Sequence, residues 1–394
     1  MFFVISDTSY NYYTGSVYQH YVSSSNSQAV NVPKLRFPGF EGEWETSCIG
    51  NFGSFYKGAP LSKADISDNG IPFVLYGELY TTYNEVATEI IRKTKATVGD
   101  EYISESGDVI IPTSGETAED IATATCIMKP GVILAGDLCI MRPNKIDGRF
   151  LSYIINHKAK YAIARIAQGK SVVHIRPDEV EQIKVSYPSK SEQDKILRFL
   201  GLLSQKIEKQ QQLIDSLKLY KKGASNILFS EIETSCDDWL LLQELFTVVP
   251  DKKYQVQTNQ YFAEGAFEVV DQGKNDIVGF NNDETKLFND TPVIVYGDHT
   301  TIVKYRRKPF IVGGDGVKLL KPKLGFNPQY LYFALCHYNI KQEGYKRHFS
   351  ILKEISLPIP PIDTQISIKN LLDGIEKKIA TEELLLTNLT EIKS

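Results

Sequence analysis

Two stretches of this chain carry apolar residues at alternating steps of four and three. One runs through Ile196, Leu200, Leu203, Ile207, Ile214 and Leu217, the other through Ile368, Leu372, Ile375, Ile379, Leu386 and Leu389. Gln210 and Glu382 fill the one step that each series omits. A 4-3 stripe lies along one side of an α-helix and forms the seam of a coiled coil, where a lone polar residue sets register. The pattern therefore predicts long helices over 189–232 and 362–394. The second has to return along the first, so the pair is predicted to be antiparallel.

These helices belong to a repeat. Ile183–Lys222 aligns with Ile355–Ser394 at a constant offset of 172 residues, so that Pro188 meets Pro360, Gln193 meets Gln365 and Leu217 meets Leu389. In both copies a short β-like stretch ends at a proline, which cannot continue a strand ladder, and the helix follows. Unrelated amphipathic helices would not share prolines, glutamine and seam in one register.

Fainter echoes lie upstream of each helix. Ile71–Glu78 resembles Thr291–Asp298, a strand after proline that ends in Tyr-Gly-acid. Ile133–Asp137 resembles Ile311–Asp315, and each precedes an apolar strand ending at Pro143 or Pro322. Phe150–His157 and Tyr330–His337 both read as a short helix, His174 reads as the counterpart of His348, and Trp44 and Trp239 open the two units. Gly-Asp turns and β-branched runs such as Val109–Pro112 give each unit an α+β character. The expected organisation is an N-terminal extension over 1–30, poorly ordered and rich in Ser, Tyr and Asn; a first globular unit over 31–188; a helix over 189–232; a second unit over 233–361; and a helix over 362–394.

Composition narrows the function classes. With 394 residues the chain suits two units, and its 42% apolar and 23% charged content is that of a globular protein. A net charge of −4 confines any nucleic-acid surface to a local patch. No apolar run reaches membrane-helix length, and Met1–Ser6 is too short for a signal-peptide core. Cys48, Cys126, Cys139, Cys236 and Cys336 are scattered without a C-x-x-C, and read as reduced thiols in a cytoplasmic protein. The histidines show no metal-ligand spacing and no glycine-rich cofactor loop follows an early strand, so neither metal nor cofactor is expected.

Three fragments superficially suggest catalysis. Gly169-Lys170-Ser171 ends like a phosphate-binding loop, but Ala164 stands where the motif needs glycine. Asn327-Pro-Gln-Tyr330 is one residue away from the Asn-Pro-Pro-Tyr of adenine methyltransferases; it reads instead as a helix cap with proline in first position. Gly313–Gly316 suits a tight turn.

The order of variable unit, helix, variable unit, helix resembles the DNA-specificity subunit of type I restriction–modification systems. The resemblance rests on Val32–Trp44 (VPKLRFPGFEGEW), on Pro188–Gln193 and Pro360–Gln365, which are similar to the family's Pro-x-x-x-Glu-Gln helix start, and on Tyr296–Thr300 with Gly313–Val317. Two departures stand out. Residues 1–30 match nothing in the family, and the first helix pattern continues through Gly223–Phe229, whereas the second reaches Ser394 at the equivalent of Lys222. The resemblance implies two tandem target-recognition domains and a non-catalytic chain that reads a bipartite, asymmetric site in double-stranded DNA. It further implies two methyltransferase subunits that supply S-adenosylmethionine chemistry, and ATP-driven restriction subunits.

Phosphate and base contacts draw on Lys, Arg, Asn, Gln and hydroxyl groups. The densest basic run, Lys304-Tyr305-Arg306-Arg307-Lys308, follows a loop containing Thr300, and Lys346-Arg347 is next. In the first unit the candidates are Lys170, Ser171 and His174, with Lys57 and Ser114 as further ones. Two other readings stay open: a protein-only coiled-coil adaptor, and a stand-alone methyltransferase or nuclease. Salt-dependent DNA binding and a methyl-transfer assay on the isolated chain separate them.

Overall fold

The computed structural model of the chain describes residues 32–33, 35–169, 172–344 and 346–393. The expected N-terminal extension, together with Lys170 and Ser171, lies outside these residues. The chain forms two compact units, one ending at Gly201 and the other beginning at Leu202.

The first unit contains β1 (Glu45–Cys48), β2 (Gly53–Lys57), β3 (Ile71–Leu75), α1 (Glu78–Thr81), β4 (Val86–Ala87), β5 (Lys93–Thr94), β6 (Asp108–Pro112), β7 (Ser114–Gly115) and α2 (Ala118–Ile121). There follow β8 (Thr125–Ile127), β9 (Ile133–Ala135), β10 (Leu138–Pro143), α3 (Gly148–Ile154), α4 (Lys160–Ile166), β11 (Val173–His174), α5 (Pro177–Glu181), β12 (Lys184–Tyr187) and the start of α6 (Lys190–Ser235). Its main sheet has the order β2-β10-β6-β8-β4, and a smaller one has the order β5-β3-β9. Side chains alternate across a strand. Val109, Ile111, Cys139 and Met141 therefore pack toward Phe150, Leu151 and Ile154 of α3. Ile110, Leu138 and Ile140 pack toward Val74 and Leu134 of the smaller sheet. A sheet covered on both faces accounts for β6 being buried at every position.

The second unit continues α6 and adds β13 (Trp239–Leu241), α7 (Leu242–Leu245), β14 (Phe246–Val249), β15 (Gln255–Val256), β16 (Phe267–Val270), β17 (Gly279–Asn281), β18 (Leu287–Phe288), β19 (Val293–Gly297), β20 (Val303–Arg306), β21 (Phe310–Gly313) and β22 (Val317–Pro322). It closes with α8 (Pro328–His337), α9 (Phe349–Leu352), β23 (Ser356–Pro358) and α10 (Ile362–Lys393). The plan is the same. The sheet β14-β22-β19-β20 turns Ile294, Tyr296 and Leu320 toward the helices, and Val293, Val295 and Leu319 toward the other sheet. As the sequence predicts, Asn327 caps α8, accepting from the Gln329 and Tyr330 amides at 3.1 and 3.0 Å, with Pro328 in first position.

Strand pairing and helix caps correct two of the sequence alignments. In the first unit β3 pairs parallel with β9; in the second, the equivalent β21 pairs parallel with β16. The counterpart of Ile71–Leu75 is thus Phe267–Val270. Thr291–Asp298 instead matches Asp108–Thr113, the centre of the main sheet: Thr113 donates its amide to the Asp137 carbonyl at 2.8 Å, and Asp298 donates to that of Gly316 at 2.7 Å. Nor are His174 and His348 equivalent. The unbroken 172-residue offset sets His348 against Arg176, and each is the N-cap residue of its short helix, α9 or α5.

The glutamine shared by the repeats acts as a clasp. Gln193 donates to the Pro188 carbonyl at 2.9 Å and accepts from the amide of Asp147, the N-cap of α3, at 3.3 Å. Gln365 does the same with Pro360 at 2.9 Å and with Asn327, the N-cap of α8, at 3.0 Å. Both side chains are buried. Gln365→Leu should cost about 1–3 kcal/mol, because it strands a buried donor and acceptor; chemical denaturation measures the loss.

Within the second unit, α6 and α10 pair antiparallel along the predicted seam. Lys221 meets Glu376 and Lys218 meets Glu383, while Leu217, Phe229 and Ile232 share one core with Ile368, Leu372, Ile375 and Ile379. The two polar seam residues meet each other, Gln210 donating to the Glu382 carboxylate at 2.6 Å and to its carbonyl at 3.1 Å. The stretch Gly223–Phe229, beyond the repeat, brings Phe229 into the core of the second unit.

Acid should weaken both units. Burial pushes the Asp147 carboxyl up, but hydrogen bonds from Arg149 and Lys190 outweigh it and hold it at about 2. Burial also opposes ionisation of Asp373, and Lys377, Gln329 and Arg307 bring it to about 2. A carboxylate depressed in the folded state stabilises above its ordinary value and ceases to do so as pH falls through the folded one. Stability should therefore fall between about pH 4 and pH 2. Asp147→Asn and Asp373→Asn should each flatten that slope in denaturation at several pH values.

Candidate functional site

In each unit the ends of three neighbouring strands carry loops that are bonded to one another. The second unit shows this most fully, in the turns after β16, β19 and β21. Gln272 joins all three. Its side chain accepts from the His299 amide at 3.0 Å and donates to the Asp315 carbonyl at 2.9 Å, and its own carbonyl accepts from Thr300 Oγ1 at 2.5 Å. Gly316, at φ 81°, is required here: a Cβ would lie 2.6 Å from Gln272 Nε2. Asp298 anchors a fourth segment, its carboxylate accepting from the Phe349 amide at 2.8 Å and its carbonyl from the His348 amide at 2.8 Å. The buried His348 ring faces the Asp298 carbonyl with Nδ1 and accepts from the Glu343 amide at Nε2, 3.0 Å away.

The first unit builds the same edge from other residues. The loops after β3, β6 and β9 are joined by the Thr113–Asp137 bond and by Tyr80, whose hydroxyl donates to the Ser114 carbonyl at 2.7 Å. The segment before α5 arrives through β11, which pairs with β7. Glu78 closes its own turn, accepting from the Leu75 amide at 3.0 Å and from Arg92 at 2.7 Å.

The basic run of the second unit is split by strand alternation. Lys304 and Arg306, expected at a contact surface, point inward on β20 and are 7% exposed. Lys304 donates to the carbonyls of Asp271 at 2.9 Å and Asn275 at 2.5 Å, and burial lowers its ammonium below the ordinary lysine value. Arg306 pairs with Glu268 and, at 2.8 Å, with Asp276. Both charges are already met by partners within the unit. Tyr305 is half-buried, stacked on Tyr332 at 5.5 Å. Arg307 is exposed but bonded to Asp373 at 2.7 Å, in an open groove of about 530 Å³.

The other candidates fall out as follows. Thr300 is partly exposed within the loop knot, and Lys346 is exposed with Glu343 at 2.6 Å. Arg347 is exposed and has no ionic partner among the described residues. Lys57 is exposed at the end of β2, and His174 is exposed with its Nδ1 2.9 Å from Ser114 Oγ. Ser114, expected as a contact, is 6% exposed and its hydroxyl is already bonded to that histidine. Gln272, Lys274 and Asn275 escaped the sequence reading, because a loop between short strands has no periodicity to betray it. Among the described residues, no cluster of His, Cys, Asp and Glu could hold a metal, and no helix is long and apolar enough to cross a membrane.

Comparison with known proteins gives one consistent result. The family model for the type I restriction modification DNA specificity domain matches twice, over residues 41–219 and 240–391. A curated relative from Methanocaldococcus jannaschii, named as a type I restriction enzyme MjaX specificity subunit, is 24% identical over 290 residues, covering 64% of this chain and 67% of the relative. Among solved structures, the S subunit of a type I restriction-modification system from M. genitalium superposes with a TM-score of 0.60 at 17% identity, covering 89% of this chain and 94% of that one. A chain from a study of complex assembly and conformational transition of the type I R-M system gives 0.52 at 15% identity, covering 92% and 97%. At such identities the two structures speak for the fold.

Proposed function

We propose, from the premise that this chain belongs to the type I restriction–modification DNA specificity family, that it reads a two-part, asymmetric DNA site on behalf of a modification and restriction complex. A specificity subunit of such a system recognises DNA and assembles with other subunits. For this chain we take the partners to be two methyltransferase subunits, which bring S-adenosylmethionine, and ATP-driven restriction subunits. The chain itself would hold no cofactor and catalyse nothing. Leu202, Leu219, Tyr220 and Ile227, exposed apolar side chains on α6, support a role in docking partner subunits.

The observation that carries this reading is one loop edge built twice on the same scaffold with different residues. Tyr76-Gly77-Glu78 stands after β3 where Asp271-Gln272-Gly273 stands after β16, and Thr113-Ser114-Gly115 where Asp298-His299-Thr300 stands. A palindromic site would require equal surfaces. Methyl transfer to genomic DNA tests the proposal. The isolated chain should transfer none, the complex with its methyltransferase should modify DNA, and sequencing the product should give two unlike half-sites around an unread gap. Methyl transfer by the chain alone, or a continuous or palindromic motif, would overturn it.

Residue by residue, we assign DNA contacts to Arg347, Lys346, Arg307 and Thr300 in the second unit. In the first we assign them to Lys57 and His174, with Lys170 and Ser171 kept from the sequence reading. Arg347→Gln should weaken binding alike on all sequences and lower the salt slope by about one. An unchanged slope in fluorescence anisotropy titrations at several salt concentrations would remove it from the contact set.

A further inference from the structure

The two buried cations on β20 serve a single loop. Lys304 holds the carbonyls of Asp271 and Asn275, and Arg306 holds the carboxylate of Asp276. Asp271 accepts from the Gly273 amide at 2.7 Å, and Gln272 ties the same loop to the turns after β19 and β21. The backbone of 271–276 is thus fixed from both ends and from beneath. Lys274, Asn275 and Asp276 are exposed, and of these Lys274 and Asn275 have side chains without a hydrogen-bond or ionic partner among the described residues, whereas Asp276 is held by Arg306. Burying two cations is costly unless the geometry is good, and that cost falls here on a segment with no core of its own.

Resting on the DNA-reading proposal, we infer that the 271–276 loop is a base reader of the second unit's half-site, with Asn275 and Lys274 touching base edges and Lys304 as their positioning residue. The chemistry of the pair fits the major groove. A carboxamide offers the donor and acceptor that match the N6 and N7 of adenine, and an ammonium matches the O6 and N7 of guanine. A rigid backbone below two free side chains lowers the ordering cost of contact. The buried cations of β20 thereby act on specificity without touching DNA.

The test uses the full chain in complex with its methyltransferase partner, selecting from a pool of DNA duplexes randomised over about 30 base pairs, a length chosen to exceed one helical turn on either side of a gap. Wild type should enrich a two-part motif. Asn275→Ala, at an exposed side chain, should bind that motif about 5- to 140-fold more weakly, the equivalent of 1–3 kcal/mol, and should lose preference at one or two positions in one half alone. Lys304→Met should blur the same positions and leave the other half intact, whereas Lys304→Arg should partly restore them. The inference is overturned if Asn275→Ala and Lys274→Gln keep motif and affinity. It also fails if Lys304→Met weakens both halves equally while lowering the unfolding temperature, the signature of a purely structural lysine. Should wild type enrich no motif at all, the DNA-reading proposal itself fails; an intact wild-type motif with unaltered variants defeats the loop alone.

Discussion

Phe229→Ala should destabilise the second unit by about 3–5 kcal/mol, the usual cost of deleting a large aromatic from a closed core. The ring has no exposure and stands 4.7 Å from His337, 5.6 Å from Tyr338 and 6.1 Å from Tyr330. It comes from a helix whose seam faces α10, so its loss opens a cavity at the meeting of α6, α8 and α10. The two tryptophans make the effect separable. Trp239 packs on Tyr338 at 5.5 Å, itself a neighbour of Phe229, whereas Trp44 packs on Phe150 in the first unit at 6.2 Å. In a Trp44→Phe background, the fluorescence transition of Trp239 should move to much lower denaturant. In a Trp239→Phe background, the Trp44 transition should stay in place. A Trp239 transition unmoved by the substitution would mean that the core closes over the gap without cost.

What the sequence disclosed depended on the range over which each pattern acts. The seam through Leu203, Ile214, Ile375 and Ile379 repeats within a few residues of itself, so its burial and even its polar step at Gln210 and Glu382 were legible. The Asn327 cap is a three-residue signal and was equally plain. Strand partners were not. Ile71–Leu75 and Val293–Gly297 look alike because each runs from a proline into a short apolar stretch that is buried, yet one belongs to the small sheet and the other to the main sheet. That choice is made by pairing with distant strands, which local pattern does not encode. The basic run misled for a related reason. Read as a string, Lys304–Lys308 is a cationic patch; folded as a strand, every second residue points inward, and acids from Glu268 and Asp276 meet what arrives there. The clasp formed by Gln193 and Gln365 was visible as a repeated glutamine, but its partners Asp147 and Asn327 lie 46 and 38 residues away and could not be named.

The same inward turn makes Arg306 the position where charge reversal should do most damage. In Arg306→Glu a carboxylate would enter a site already facing Glu268 and Asp276, with the Lys304 ammonium held away by two carbonyls. Breaking a buried pair costs about 3–5 kcal/mol because the remaining charge loses its partner. Here the acids reach solvent, Glu268 at 30% and Asp276 at 70% exposure, which moderates the loss of their partner. A total of about 2–4 kcal/mol is expected, read from the Trp239 transition. DNA binding would fall as well, so that result alone would mimic removal of a phosphate contact. Two comparisons separate the causes. Arg307→Gln, at an exposed side chain, should lower the salt slope with a much smaller loss of stability. Arg306→Glu combined with Glu268→Arg restores opposite charges across the pair, and should recover stability together with DNA binding if the native arginine acts only from within. Recovery of stability without recovery of binding would instead place the Arg306 guanidinium in direct contact with DNA, against its burial on β20.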